Sequence, residues 1–390
     1  MDCISSWWVT IHGHGHPYIA KKIYEQALAL EQVIFAGFTH EPAVQLAERL
    51  LPVLPGSFSR IFYSDNGSTA VEVAIKMALQ FWWNKGFTQK TTVFAFSNAY
   101  HGDTFGAMSV SGRSIFTAAF DRFMFEVVYL DIPNETNFES NKDRIDAVAE
   151  TAACFIYEPL LQGAGGMLMY SPATMDHLLD YIKSKDIITI ADEVLTGFGR
   201  TGTLFAGEQL KNKADIICLS KGLTGGTMAL GVTACTPDIY EAFLTDDKYK
   251  TFFHGHSFTA NPIACAAALA SLDLLLDNKC REQLSMICQA QTVFTARLER
   301  ESSNSITAIR QLGTIVAFDI KSQKNHYLET TGAELAKRIM EQGIYLRPLG
   351  NTIYLMPPYC ITASELEFVH DTLIALLNQD HIVPENEKPA

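Results

Sequence analysis

The sequence lacks an excess of basic charge: 30 Lys and Arg stand against 43 Asp and Glu, a formal net charge of −13. A chain whose main partner is nucleic acid needs a basic face to neutralise phosphates, so that class is set aside. One small phosphate held by backbone N–H groups is not excluded. Long apolar runs are also missing. The longest lies around 263–272 and stops at Asp273, well short of the roughly 18 residues that suggest a membrane span. Met1-Asp2-Cys3-Ile4 shows neither the basic nor the apolar region of a signal peptide. The eight cysteines include no Cys-x-x-Cys pair, and several sit inside apolar runs such as Ile216-Ile217-Cys218-Leu219. They are expected to be buried, reduced thiols, with a cytoplasmic location. No repeat of about 20–50 residues is visible.

What is present is an ordinary globular composition. Of the 390 residues, 48% are apolar and 19% charged, so the chain can bury a large core and divide into two or three domains. Apolar runs at 61–64, 93–96, 154–157, 187–191, 216–219 and 232–235 read as strands, separated by helix-length segments such as 69–83 and 173–185. Uninterrupted apolar strands alternating with helices predict an α/β sheet, mostly parallel and covered on both faces. The polar stretch 131–146 reads as a surface loop or a short decorated connection. Beyond about Asn278 the texture changes to a long helix over 281–300 and short β-like pieces at 314–318 and 354–356. Residues 1–276 are expected to form a large domain and 277–390 a smaller α+β domain, ending in a frayed polar tail from 378.

Four signals fall just after successive strands. Ser64-Asp65-Asn66-Gly67-Ser68-Thr69 joins a strand to a helix, and free N–H groups there favour a phosphate. It lacks the Gly-Lys-Ser/Thr of a nucleotide-hydrolysing loop, and a plain N-cap is the ordinary reading. Asp192-Glu193 follows 187–191, at the sheet edge where ligands bind; an exposed pair is the alternative. Lys221 follows 216–219 among small residues. Desolvation there would free its amine for a Schiff base, although most lysines are surface charges. Tyr100, in Asn98-Ala99-Tyr100-His101-Gly102, could stack on a flat ring or be a half-exposed loop residue. Together, a phosphate cradle, a stacking aromatic, an acid and a lysine match the needs of pyridoxal 5'-phosphate.

With these in view the sequence resembles the class III, fold type I, pyridoxal-phosphate aminotransferases along nearly its whole length. The resemblance is carried by Ser5-Ser6-Trp7-Trp8, Phe38-Thr39-His40, Tyr100-His101-Gly102-Asp103-Thr104, Gln162-Gly163-Ala164-Gly165-Gly166-Met167 and Gly197-Phe198-Gly199-Arg200-Thr201-Gly202. It is also carried by Lys221-Gly222-Leu223-Thr224-Gly225-Gly226-Thr227, Arg347-Pro348 and Ile353-Tyr354-Leu355-Met356-Pro357-Pro358-Tyr359. The Trp pair, the Thr-Gly-Gly-Thr run and the Tyr-Leu-Met-Pro-Pro-Tyr run are similar to the branch that serves biotin biosynthesis.

That resemblance implies a seven-stranded, mostly parallel sheet and a homodimer with shared active sites. It also implies ping-pong transfer of an amino group from S-adenosylmethionine to 8-amino-7-oxononanoate. Lys221 would hold the cofactor as a Schiff base and shuttle the proton between Cα and C4′. Asp192 would keep the ring nitrogen protonated, with Val194 and Tyr100 on the two ring faces and His101 beside them. Gly67 and Ser68 would hold the phosphate, and Ser257 would reach the phosphate of the partner's cofactor. Here the family's usual Gly-Pro-Thr is replaced by Gly255-His256-Ser257. Arg347 would clamp the keto acid's carboxylate, while Trp7, Trp8, Gly255 and Tyr354 would line the substrate cleft. If the Trp pair lies on a strand, one ring faces substrate and the other the core. Family members carry a further N-terminal segment, which would supply a tyrosine to the donor site and is expected to be missing here. The rivals are another class III ω-aminotransferase, using lysine, 4-aminobutyrate, ornithine or a diamine, and a non-catalytic protein of the same fold.

His12, His14 and His16 alternate, a spacing that could gather imidazoles around a metal. The intervening glycines and Pro17 favour a loop, no carboxylate or cysteine is interleaved, and no metal is expected. Phe81-Trp82-Trp83 reads as core or dimer interface. Glu158 either approaches the cofactor or makes a structural ion pair.

Overall fold

The computed structural model describes residues 1–321 and 331–379; most of the expected tail lies outside them. The strands in chain order are β1 (Arg60–Ser64), β2 (Thr92–Phe96), β3 (Val127–Leu130), β4 (Ala152–Tyr157), β5 (Leu161–Gln162) and β6 (Leu168–Met169). They continue with β7 (Ile188–Asp192), β8 (Ile216–Leu219), β9 (Gly231–Cys235), β10 (Ile306–Leu312), β11 (Ile315–Ile320) and β12 (Thr352–Leu355). The chain divides into two compact units: Met1–His16 with Gly199–Leu204 and Asp273–Ala390, and Pro17–Phe198 with Phe205–Leu272.

The second of these holds a seven-stranded sheet in the order β1-β9-β8-β7-β4-β2-β3. Only β9 runs antiparallel to its neighbours. The other six strands therefore point the same way and end at one edge. β4 and β7 are buried along their full length, as a sheet covered on both faces requires. The helix Gly67–Asn84 lies on one face. Its first turn is closed by a capping box: Asn66 Oδ1 accepts from the Thr69 N–H (3.0 Å), and Thr69 Oγ1 accepts from the Asn66 N–H (3.0 Å). Ala70, Ala74 and Ala78 are fully buried on it. Spaced four apart, they share a face and let the helix approach the sheet closely. Val71, Ile75 and Met77 join Cys154, Ile156, Ile190 and Ile216 in the core. Each such large side chain contributes about 1.5–3 kcal/mol by leaving water.

The first unit holds the antiparallel sheet β10-β11-β12 and the helices Asn278–Glu301 and Ala363–Leu377. Its opening residues are fastened by an isolated parallel bridge between Asp2 and Tyr345.

The expected parallel sheet and the six expected strands are present. Four strands, β3, β5, β6 and β10, were not read from the sequence: β5 and β6 are two residues each, and β3 and β10 are only half-buried along most of their length. The stretch expected to be a loop at 131–146 contains a helix, Phe138–Asp146. That helix buries only Asn141 and Ile145, so it has no apolar stripe to read. Asn141 secures it instead, accepting from the Asp131 N–H and donating to the Asp131 carbonyl, both at 2.9 Å. Among the described residues no helix is long and apolar enough to cross a membrane. All eight cysteines are free thiols; six are buried, Cys288 is half-buried and Cys360 is exposed.

Candidate active site

Residues at the carboxyl ends of the parallel strands gather at one edge of the large sheet. β1 ends at Ser64 and passes through the capped turn into the helix at Gly67 and Ser68. The first-turn N–H groups have no intrahelical acceptor, and the helix dipole adds positive potential there. Two glycines make the space tight. A Cβ on Gly67 would stand 2.8 Å from the Val194 side chain. Gly102 has φ +129°, and a Cβ on it would stand 2.0 Å from Ser68 Oγ. Ser68 Oγ also accepts from the Asp103 N–H at 3.2 Å. Gly67, Ser68, Val194 and Gly102 are thereby brought together around one helix N-terminus.

Asp192 closes β7 and is buried. Its Oδ2 lies 2.6 Å from His101 Nδ1, and its Oδ1 accepts from the Val194 N–H at 3.0 Å. His101 in turn is held by its own N–H, which donates to Ser111 Oγ at 2.9 Å. The other ring nitrogen, Nε2, is buried with no partner among the described residues. Glu158, just past β4, is buried beside this pair and accepts from the N–H groups of Tyr100 (3.2 Å) and Gly163 (3.0 Å). Burial pushes its carboxyl up to about 7; His101 opposes that shift and Asp192 adds to it. Tyr100 is 39% exposed, and burial of its phenol, then the bonded Asp103 carboxylate, raises the phenol's pKa. Thr104 serves the fold: its hydroxyl and the N–H groups of Gly106 and Ala107 all donate to Glu72 Oε1.

Lys221 begins the turn after β8 with φ 48°, a left-handed conformation that is strained for a side chain of this length. The turn is held by Ser220 Oγ donating to the Leu230 carbonyl (2.7 Å) and Ser271 Oγ donating to the Gly222 carbonyl (3.1 Å). Asp192 pairs with Cys218 across β7 and β8, so Lys221 and Asp192 leave adjacent strands at the same edge. Glu193 points elsewhere. It is fully buried and accepts from Thr196 Oγ1, the Ala206 N–H and the Gly207 N–H at 2.7–2.9 Å. It anchors the loop and is no exposed partner of Asp192.

Trp7, Trp8, Tyr354 and Arg347 belong to the other unit. Ser5–Trp8 form a kinked helical turn, with Ser5, Ser6 and Trp8 at φ of 52°, 61° and 68°. The expected strand is absent, and the two rings differ in burial. Trp8 is buried and donates from Nε1 to the Tyr354 hydroxyl at 2.9 Å. Trp7 is 55% exposed, and the Arg347 guanidinium lies 3.9 Å from its ring centroid. Arg200, noted in the sequence only as part of a motif, is buried there. It donates to the carbonyls of Pro357 (3.0 Å) and Trp8 (3.3 Å), and its Nε has no partner among the described residues. An arginine between glycines and small residues was the available signal.

Gly255 and Ser257 lie in an exposed loop ahead of the helix Pro262–Leu276. Among the described residues no hydrogen bond joins either to Asp192, His101 or Ser68; the Ser257 carbonyl accepts from Gln32 Nε2. His256 folds that loop on itself, its Nδ1 accepting from the Phe258 N–H at 3.2 Å. His12, His14 and His16 lie in a turn-rich loop.

The profile of the aminotransferase class-III family matches residues 1–377. A Synechococcus elongatus protein named adenosylmethionine-8-amino-7-oxononanoate aminotransferase is 45% identical, the match covering 97% of this chain and 91% of that protein. One of the same name from Geobacter sulfurreducens is 38% identical, over 96% and 86%. The crystal structure of such an aminotransferase from Methanocaldococcus jannaschii superposes with a TM-score of 0.91 at 33% identity, covering 96% of this chain and 88% of that one. The PLP-bound amine transaminase from an uncultivated Pseudomonas species superposes with 0.89 at 28% identity, over 97% and 90%.

Proposed function

The chain belongs to the class-III aminotransferase family, and on that premise we propose that it moves the amino group of S-adenosylmethionine onto 8-amino-7-oxononanoate, giving 7,8-diaminononanoate for biotin biosynthesis. The observation that carries the reading is the 45% identity to a protein named for those two substrates, sustained over 97% of the chain. The cofactor is pyridoxal 5'-phosphate, as in the family. The residues fit it: a glycine-lined helix N-terminus suits a phosphate, and a buried carboxylate and a lysine end adjacent strands.

Bound there, the cofactor supplies an electron sink for the carbon that loses its proton. Gly67 and Ser68 hold the phosphate with first-turn N–H groups and the serine hydroxyl. Asp192, oriented by His101 and by the Val194 N–H, keeps a proton on the ring nitrogen, which an adjacent buried carboxylate favours. Val194 and Tyr100 would pack against the ring. Lys221 would hold the cofactor through its amine, and that amine would serve as the proton carrier. Arg347 binds the keto acid's carboxylate with its planar fork, and Trp7, Trp8, Gly255 and Tyr354 line the substrate's path. Donor and acceptor use the site in turn.

The protein acts as a homodimer in the cytoplasm, with Ser257 of one protomer reaching the phosphate site of the other. Support for the dimer comes from the exposed side chains of Phe105, Phe116, Phe120, Phe123 and Phe125, an apolar patch of the kind that marks an interface. Support for the compartment comes from the eight unpaired thiols.

The test is a single half-reaction. The holoenzyme is mixed separately with S-adenosylmethionine, lysine and 4-aminobutyrate, and amination of the cofactor is followed by absorbance. Amination by S-adenosylmethionine alone supports the reading. Amination only by lysine or 4-aminobutyrate moves the protein to another branch of the family, and none by any donor favours a non-catalytic protein.

A further inference from the structure

Arg347 and Trp7 are both exposed, and no protein carboxylate is paired with Arg347 among the described residues. Core packing therefore holds neither side chain, yet the guanidinium lies 3.9 Å from the indole centroid. We infer that Asp2 is the positioning residue for this pair, setting the carboxylate-binding Arg347 through Trp7. The inference rests on the proposed role of Arg347.

Asp2 acts on both sides of the stack. Its backbone lies opposite Tyr345 in a parallel bridge, two residues ahead of Arg347. The Tyr345 N–H donates to the Met1 carbonyl at 2.8 Å and the Cys3 N–H to the Tyr345 carbonyl at 3.2 Å. Its side chain turns the other way, into the chain leading to Trp7. Oδ2 accepts from the Ser6 N–H at 2.6 Å and Oδ1 from the Ile4 N–H at 3.1 Å. Ser6 Oγ and His14 Nε2 also face Oδ2, at 3.4 and 2.9 Å.

Those bonds fall where the backbone is strained. Ser5, Ser6 and Trp8 all have positive φ, a conformation that side-chain-bearing residues keep only when their surroundings impose it. Ser5 is held by its hydroxyl on the Met356 carbonyl (2.8 Å) and Trp8 by its indole N–H on Tyr354 (2.9 Å). Ser6, next to Trp7, is held by Asp2. That carboxylate fixes the peptide from which Trp7 leaves the chain. A guanidinium stacked on an indole keeps its N–H fork facing outward, and a fork set in advance loses less freedom when a carboxylate binds.

The experiment compares wild type, Asp2→Ala, Asp2→Asn, Trp7→Leu, the Asp2→Ala/Trp7→Leu double variant and Arg347→Ala as holoenzymes. Half-reaction rates are measured against donor and keto acid, and nonanoate binding by calorimetry. Nonanoate carries the carboxylate and chain length of the keto acid without its reacting groups. Asp2→Ala and Trp7→Leu should each raise the keto-acid concentration for half-saturation and the nonanoate Kd by about tenfold. In Asp2→Ala the donor half-reaction should stay within about twofold. The double variant should be no worse than either single one, since both act through one guanidinium. Asp2→Asn keeps one acceptor oxygen and should recover part of the loss.

Multiplying effects, equal damage to both half-reactions, or unchanged keto-acid and nonanoate affinity in Asp2→Ala would overturn the inference. Nonanoate binding that ignores Arg347→Ala would overturn it as well. If the wild type fails to aminate the keto acid while nonanoate binding still follows Asp2, Trp7 and Arg347, the substrate reading fails and the positioning role stands.

Discussion

His101 Nδ1 and Asp192 Oδ2 lie 2.6 Å apart with both side chains buried. A buried carboxylate needs its lone pairs satisfied, and this one has an imidazole on one oxygen and the Val194 N–H on the other. His101 therefore fixes the direction of the acid expected to face the cofactor's ring nitrogen. A hydrogen bond to a charged group contributes about 1.5–3 kcal/mol. His101→Ala should weaken cofactor binding by roughly 10- to 150-fold on that basis, read by titrating the apoenzyme with cofactor. An unchanged affinity would show that Asp192 needs no orienting partner.

If Lys221 is the proton carrier proposed above, Lys221→Ala should lower turnover by about a thousandfold. The variant should still take up cofactor through the phosphate site. Borohydride should fix cofactor covalently to the wild type and not to the variant, as read by mass spectrometry. Normal turnover in Lys221→Ala would overturn the lysine assignment.

Arg347→Ala should damage use of the keto acid far more than the donor half-reaction. Loss of a charge-assisted pair at about 1.5–3 kcal/mol corresponds to roughly 10- to 150-fold in kcat/KM. Equal losses in the two half-reactions would count against the clamp.

His370 gives the smaller unit an acid-sensitive element. It is stacked on Phe294 with centroids 3.9 Å apart and faces Gln291 Oε1 from Nε2 at 3.1 Å. Burial, then the Arg297 charge, lowers its pKa from 6.5 to about 4. The unfolded chain takes up this proton below pH 6.5 and the folded chain only near 4. The stability it contributes is therefore complete above 6.5 and lost as pH falls toward 4, up to about 3 kcal/mol across that window. Denaturant titrations between pH 7 and 4 should show the loss, and His370→Gln should flatten it. An equally steep acid limb in the variant would assign the effect to other groups.

Phe123 is 61% exposed and faces Phe105, with ring centroids 6.4 Å apart. If this patch is the dimer interface, Phe123→Asp should shift sedimentation from dimer toward monomer. An unchanged dimer would place the interface elsewhere.

The sheet was legible because a buried parallel strand advertises itself. β4 is an uninterrupted apolar run and β7 is broken only by Thr189, and Asp192 and Lys221 stand out by closing or following such runs. Glu193 was legible as a residue but not as a structural one, since its three donors come from Thr196, Ala206 and Gly207. The helix Phe138–Asp146 was illegible because a side-chain bond from Asn141 secures it where an apolar stripe would otherwise be read.

By itself the sequence determined the strand edge, the chemistry gathered on it and the family, since all three depend on local pattern and residue type. Only the tertiary structure decided which of two adjacent tryptophans is buried. The chain turns at Ser5–Trp8 through left-handed dihedrals that no propensity favours. Asp2, Met356 and Tyr354, the last two distant in sequence, supply the bonds that hold it there.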